Sequence, residues 1–169
     1  MPLALTDLLN RGDSVEGALR GSVPIKAFPR LAQTLSDCAG SVETDIRVSR
    51  ASSGVPLVEG SLRGTFWREC QRCLEPVSVD VAVDLRLAIT AVAGEELAPP
   101  GFEPWQSEAS DITLRDLLED ELLLALPMVA RHDDETRCGR LAERLRGGRQ
   151  EDLPASENPF AVLRRLKRD

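Results

Sequence analysis

Between residues 41 and 91 apolar side chains recur at every second position, the period of a strand with one dry face. Val42, Thr44, Ile46 and Val48 alternate with Glu43, Asp45 and Arg47, and Ser52-Ser53-Gly54 reads as a turn. Val58, Leu62 and Phe66 then share one face, with Glu59, Ser61, Arg63 and Thr65 on the other. Gly60 and Gly64 fall on the apolar face and point to a bulge or a close backbone approach. The third run is the longest: Val77, Val79, Val81, Val83, Leu85, Leu87, Ile89 and Ala91 all occupy odd positions. Three strands joined by short reversals predict an antiparallel meander, packed on one face and wet on the other. A run this long has to coil or bend, so the expected sheet is curved, with barrel-like closure left open.

A helical period follows at 113–127. Thr113-Leu114-Arg115-Asp116 resembles a capping box with Asp in place of Glu. Leu114, Leu117, Leu118, Leu122, Ala125 and Leu126 fill one face, and Pro127 stops the helix. This amphipathic helix is expected to cover the sheet, giving an α+β fold. Asp116, Glu119, Asp120 and Glu121 read as its solvated face; of these only Asp116 and Asp120, at i and i+4, could converge on an ion.

Before the sheet, Leu3, Leu5, Leu8 and Leu9 suit one helical face, whereas Gly17, Gly21 and Pro24 argue against one long helix. A short helix is predicted from Arg30 to Leu35, and Cys38 beyond it reads as a small buried hydrophobe. The stretch 94–110 contains Pro99, Pro100, Gly101 and Pro104 and is expected to be a functional or mobile loop, pinned by Phe102 and Trp105. Residues 1–149 are thus expected to form a single domain, and 150–169 a linker and a short basic C-terminal helix. Asn158-Pro159 starts that helix, and Phe160, Val162, Leu163 and Leu166 give it an apolar side.

Composition changes this picture in two ways. The formal net charge is −7, so phosphate backbones do not attract the chain as a whole, and any RNA contact has to be local. Aromatic residues make up 4% and include no tyrosine, which argues against base stacking on a row of rings. The local basic candidates are Arg131, Arg137, Arg140 and their neighbours, then Arg164, Arg165, Lys167 and Arg168. No apolar run approaches the length of a membrane helix, and the N-terminus lacks a leader pattern, so a cytoplasmic protein with reduced thiols is expected.

The chemistry concentrates in Glu69-Cys70-Gln71-Arg72-Cys73-Leu74-Glu75-Pro76, between two strand-like runs. A Cys-x-x-Cys pair is half of a tetrahedral metal site. His132 and Cys138 are the only histidine and the only cysteine after it, and complete a Cys₃His set suited to structural Zn²⁺. Arg131 and Arg137 would offset its thiolate charge. The alternatives are reduced thiols with no metal, or a redox pair. The redox reading is disfavoured because the flanks read as strands, with no helix N-terminus to lower a thiol pKa. With one histidine and no glycine-rich phosphate loop, no catalytic residues are assigned.

Taken in order, Cys70-Gln71-Arg72-Cys73-Leu74-Glu75-Pro76, the helix Glu119-Asp120-Glu121-Leu122-Leu123-Leu124-Ala125-Leu126-Pro127, the His132…Cys138 segment and Asn158-Pro159-Phe160-Ala161-Val162-Leu163 resemble the YceD family. The likeness spans roughly residues 40–169. It implies a bacterial or plastid protein needed for large-subunit ribosomal RNA to accumulate, hence a non-enzymatic ribosome-biogenesis factor. Its partner would be that RNA or a ribosomal or processing protein, met by the basic residues named above together with Arg72. The competing expectation is a protein-binding adaptor that acts on RNA indirectly, which the negative net charge favours.

Overall fold

In the computed structural model, which describes residues 17–90, 98–106 and 113–139, five strands form one sheet in the order β1-β2-β3-β4-β5. They are β1 (Gly17–Pro24), β2 (Ser41–Arg50), β3 (Pro56–Glu69), β4 (Pro76–Thr90) and β5 (Glu103–Gln106). Successive pairs from β1 to β4 are antiparallel, and β5 runs parallel to β4. The alternation read from the sequence is realised in β2, where Val42, Thr44, Ile46 and Val48 are buried and Glu43, Asp45 and Arg47 between them exposed.

Two strands were not expected. The segment containing Gly17, Gly21 and Pro24 is β1, pairing Leu19 with Ile46 and Val23 with Val42. Glycine and proline are tolerated there because β1 lies at the sheet edge, with a neighbour on one side only. The supposed loop at 94–110 contains β5, whose Trp105 packs against the core, while Arg86 lies 5.2 Å over the ring of Phe102. Among the described residues β1 and β5 remain edges and the sheet does not close, so no barrel forms. Gly60, with φ 146, marks the close approach foreseen in β3: a Cβ there would lie 2.0 Å from the carbonyl oxygen of Asp45.

Helix α1 (Pro29–Gln33) is shorter than the span expected, and α2 (Leu114–Ala125) begins with the Thr113–Asp116 capping box. Leu114, Leu117, Leu118 and Leu122 are buried against Ile46, Leu62, Phe66 and Leu85, contributing about 1.5–3 kcal/mol each. Ala125 does not join them; it is exposed. Nor does α2 cover the sheet by itself, since Ile25, Phe28 and Leu31 from the α1 region enter the same core. Cys38 is half-buried against it, its thiol donating to the Ala32 carbonyl at 3.4 Å.

Glu119 departs from the solvated face assigned to it and is 1% exposed. Its carboxylate accepts from the backbone N–H of Arg30 at 2.6 Å and of Leu31 at 2.9 Å, and from Arg30 Nε at 3.0 Å. Arg30 also bonds Asp120 at 2.6 Å, so the two helices are joined through these charges. Asp116 is committed to the capping box and does not converge with Asp120 on an ion. The N-terminal leucines and the 150–169 linker and helix lie outside the described residues.

Candidate metal centre

Strands β3 and β4 stay paired as far as Glu69 and Pro76, so residues 70–75 are their connecting reversal. Cys70 N–H donates to the Glu75 carbonyl at 2.9 Å and Leu74 N–H to the Cys70 carbonyl at 2.8 Å. This turn directs Cys70 and Cys73 inward, where both are buried with Val77, Ala130 and Cys138 in a small core of their own.

Pro127 ends α2, and the chain then runs back beside the turn. Gln71 N–H donates to the Ala130 carbonyl at 2.9 Å and Gln71 Nε2 to the Met128 carbonyl at 3.1 Å. Arg72 Nη2 donates to the His132 carbonyl at 3.0 Å, and Arg72 Nε to Cys138 Sγ at 3.1 Å. Gly139 N–H closes the seam on Glu75 Oε2 at 3.2 Å. Backbone and side-chain hydrogen bonds thus position the returning segment.

The result brings together the four residues singled out from the sequence: the donor atoms of Cys70, Cys73, His132 and Cys138 lie within 4.8 Å of one another. His132 Nδ1 is 3.5 Å from Cys73 Sγ and 3.6 Å from Cys138 Sγ. Bond lengths of about 2.0–2.1 Å for Zn–N and 2.3 Å for Zn–S, at a tetrahedral angle, give an N···S edge of about 3.6 Å. The spacing and the soft donor set therefore fit one tetrahedral dication, and the four side chains could hold a metal.

The electrostatics differ between the thiols. Burial pushes Cys70 up, but N–H groups of Arg72, His132 and Cys73 aimed at its sulfur outweigh this and lower it to about 6. Burial raises Cys73, and the adjacent Cys70 and Cys138 sulfurs add to the rise. A second thiolate in so small a space repels the first unless a cation lies between them. All four cysteines of the chain are free thiols. Cys70 and Cys73 sit between strands, not at a helix N-terminus.

Of the basic residues expected to face a partner, Arg72 instead turns inward onto the cluster. Arg131 and Arg137 are exposed on the returning segment. Arg140, Arg164, Arg165, Lys167 and Arg168 lie outside the described residues. Sequence reasoning missed Gln71, Glu75 and Gly139 as parts of the seam. Gly139 offered one signal, a glycine directly after a candidate ligand: a Cβ there would meet Glu75 Oε1 at 2.3 Å. No helix among the described residues is long and apolar enough to cross a membrane.

Comparison with known proteins points to the same family. A curated relative from Haemophilus influenzae, named large ribosomal RNA subunit accumulation protein YceD, is 30% identical over 142 residues, covering 82% of this chain and 80% of its own. No solved structure matches. Residues 58–167, which include the turn, α2 and the returning segment, match the family described as large ribosomal RNA subunit accumulation protein YceD, and the chain belongs to that family.

Proposed function

We propose that this chain is a non-enzymatic, cytoplasmic factor in ribosome biogenesis that supports the synthesis, processing or stability of large-subunit ribosomal RNA. The name of the Haemophilus relative supports that role, and the observation that carries the mechanism is the Cys70–Cys73–His132–Cys138 cluster. In this reading the cluster holds a structural Zn²⁺, which contributes binding energy and no reaction. The ion locks residues 130–139 onto the β3–β4 turn, and Arg131 and Arg137 are presented from that fixed segment to phosphate oxygens. Arg140 and the basic positions at 164–168 extend the contact. Arg72 belongs to the support of the site, since its guanidinium is engaged with Cys138 and His132.

Titration of large-subunit ribosomal RNA fragments with the zinc-loaded chain tests this. Binding is expected at low salt, with the logarithm of the affinity falling linearly in log[salt]. Arg131→Ala with Arg137→Ala should weaken binding and flatten that slope. A second reading, a protein adaptor acting on RNA indirectly, is favoured by the net charge of −7. Absence of RNA binding even at low salt would select it, and a ribosomal or processing protein should then co-purify from cells.

A further inference from the structure

The turn that carries Cys70 and Cys73 also displays a leucine in a conformation that leucine avoids. Leu74 has φ 62, the left-handed region in which a Cβ crowds the backbone and glycine sits without cost. The hydrogen bonds from Leu74 N–H to Cys70 and from Cys70 N–H to Glu75 close the turn around that conformation. Yet the side chain held there is 58% exposed. A bulky apolar group at a costly backbone position, facing water, gains nothing within the described fold.

Other apolar side chains border the same turn. The two hydrogen bonds from Gln71 to Met128 and Ala130 lay Met128 and Val129 alongside it. Met128 is 92% exposed and Val129 48%, and Leu124, at the end of α2, is 80% exposed. Methionine adapts its shape to what packs on it, which suits a docking surface. Of the exposed charged residues next to it in sequence, Glu69, Glu75 and Asp133 are acidic and Arg131 is basic.

We propose that this patch is the docking site of the chain's own C-terminal segment, with Phe160, Val162, Leu163 and Leu166 as the apolar contacts. Three observations select this occupant. Gly139 bonds to the Glu75 carboxylate, so the chain leaves the described residues next to the turn that carries Leu74. Residues 140–157, at up to about 3.3 Å each, can span any distance across the molecule, and such a tether holds the segment at an effective concentration in the millimolar range. The segment combines those apolar positions with Arg164, Arg165, Lys167 and Arg168, which complement those three acids.

The test places the photo-crosslinker p-benzoylphenylalanine at position 160 of the full, zinc-loaded chain. Irradiation is expected to join position 160 to Leu74 or to residues 124–129 within one chain. Links between two copies, links to other parts of the fold, or no link would each overturn the proposal. Leu74→Gly keeps the left-handed turn while removing the side chain, so it should leave the circular dichroism spectrum unchanged. It should also weaken docking about tenfold, the share of one buried leucine anchor, and so lower the cross-link yield at the patch. An unchanged yield in that folded variant would also overturn it.

Discussion

Arg72 Nε lies 3.1 Å from Cys138 Sγ while Nη2 of the same guanidinium holds the His132 carbonyl at 3.0 Å, so one side chain grips both candidate ligands that come from the far segment. The planar fork makes this double contact possible, and a lysine could supply the charge but not the geometry. Three thiolates around a zinc ion would leave a net charge of −1, which Arg72 would offset.

Arg72→Ala is therefore expected to lower zinc affinity about tenfold or more, the usual cost of losing a supporting residue. Competition against a chromophoric chelator measures it. The d–d bands of the Co²⁺-substituted protein should keep their tetrahedral pattern, because the four ligands remain. Arg72→Lys should recover part of the loss. Equal affinity in wild type and Arg72→Ala would remove this residue from the site.

Metal removal should act locally. Free zinc at about 1,000 times Kd stabilises the native state by ~4 kcal/mol, so a strong chelator should lower Tm and Cys138→Ser should lower it without chelator. Hydrogen exchange is expected to accelerate most in residues 130–139 and in the 70–77 stretch that shares their small core, and less in α2, which belongs to the larger core. Uniform acceleration across the sheet would contradict this division.

Glu119→Ala should be the most costly substitution among the acids of α2. It leaves the Leu31 N–H buried without its acceptor and removes the link to α1, at about 3 kcal/mol by urea denaturation. Most of that cost comes from the backbone groups: Arg30 is half-exposed, and its ion pair with Asp120 contributes little in water. Asp120→Ala should therefore change stability by less than about 1 kcal/mol.

Asp116 makes part of the stability depend on pH. Burial pushes its pKa up, but the Thr113 hydroxyl and backbone N–H, with Arg115 nearby, outweigh that and hold it below the usual value. Because the folded pKa is the lower one, the unfolded chain binds the proton first as pH falls. The contribution is complete above the ordinary aspartate value of about 3.9 and disappears as pH drops through the folded value. The stability difference between wild type and Asp116→Asn should hence be constant from neutral pH to about 5 and shrink below about 4. A difference that stays constant down to pH 2 would exclude it.

What the sequence determined by itself was whatever a local period or a local motif encodes. Alternation in β2, β3 and β4 follows from side chains pointing to opposite faces. The start of α2 follows from a four-residue capping motif, and the turn at 70–73 from its cysteine spacing and strand-like flanks. The meeting of His132 and Cys138 with that turn was inferred from the shortage of other ligands, and the seam of Gln71, Arg72, Glu75 and Gly139 gave it a physical basis. Tertiary structure alone decided the edge strands, whose hydrogen bonds are made to distant residues and leave no period in so short a run. It also decided the fates of two charges: Glu119 is buried because the N–H groups of Arg30 and Leu31 arrive from a helix nearly ninety positions away. Arg72 turns inward because Cys138 and the His132 carbonyl wait there. A charged residue's partner is chosen by long-range geometry, and an amino-acid string records the charge without recording the partner.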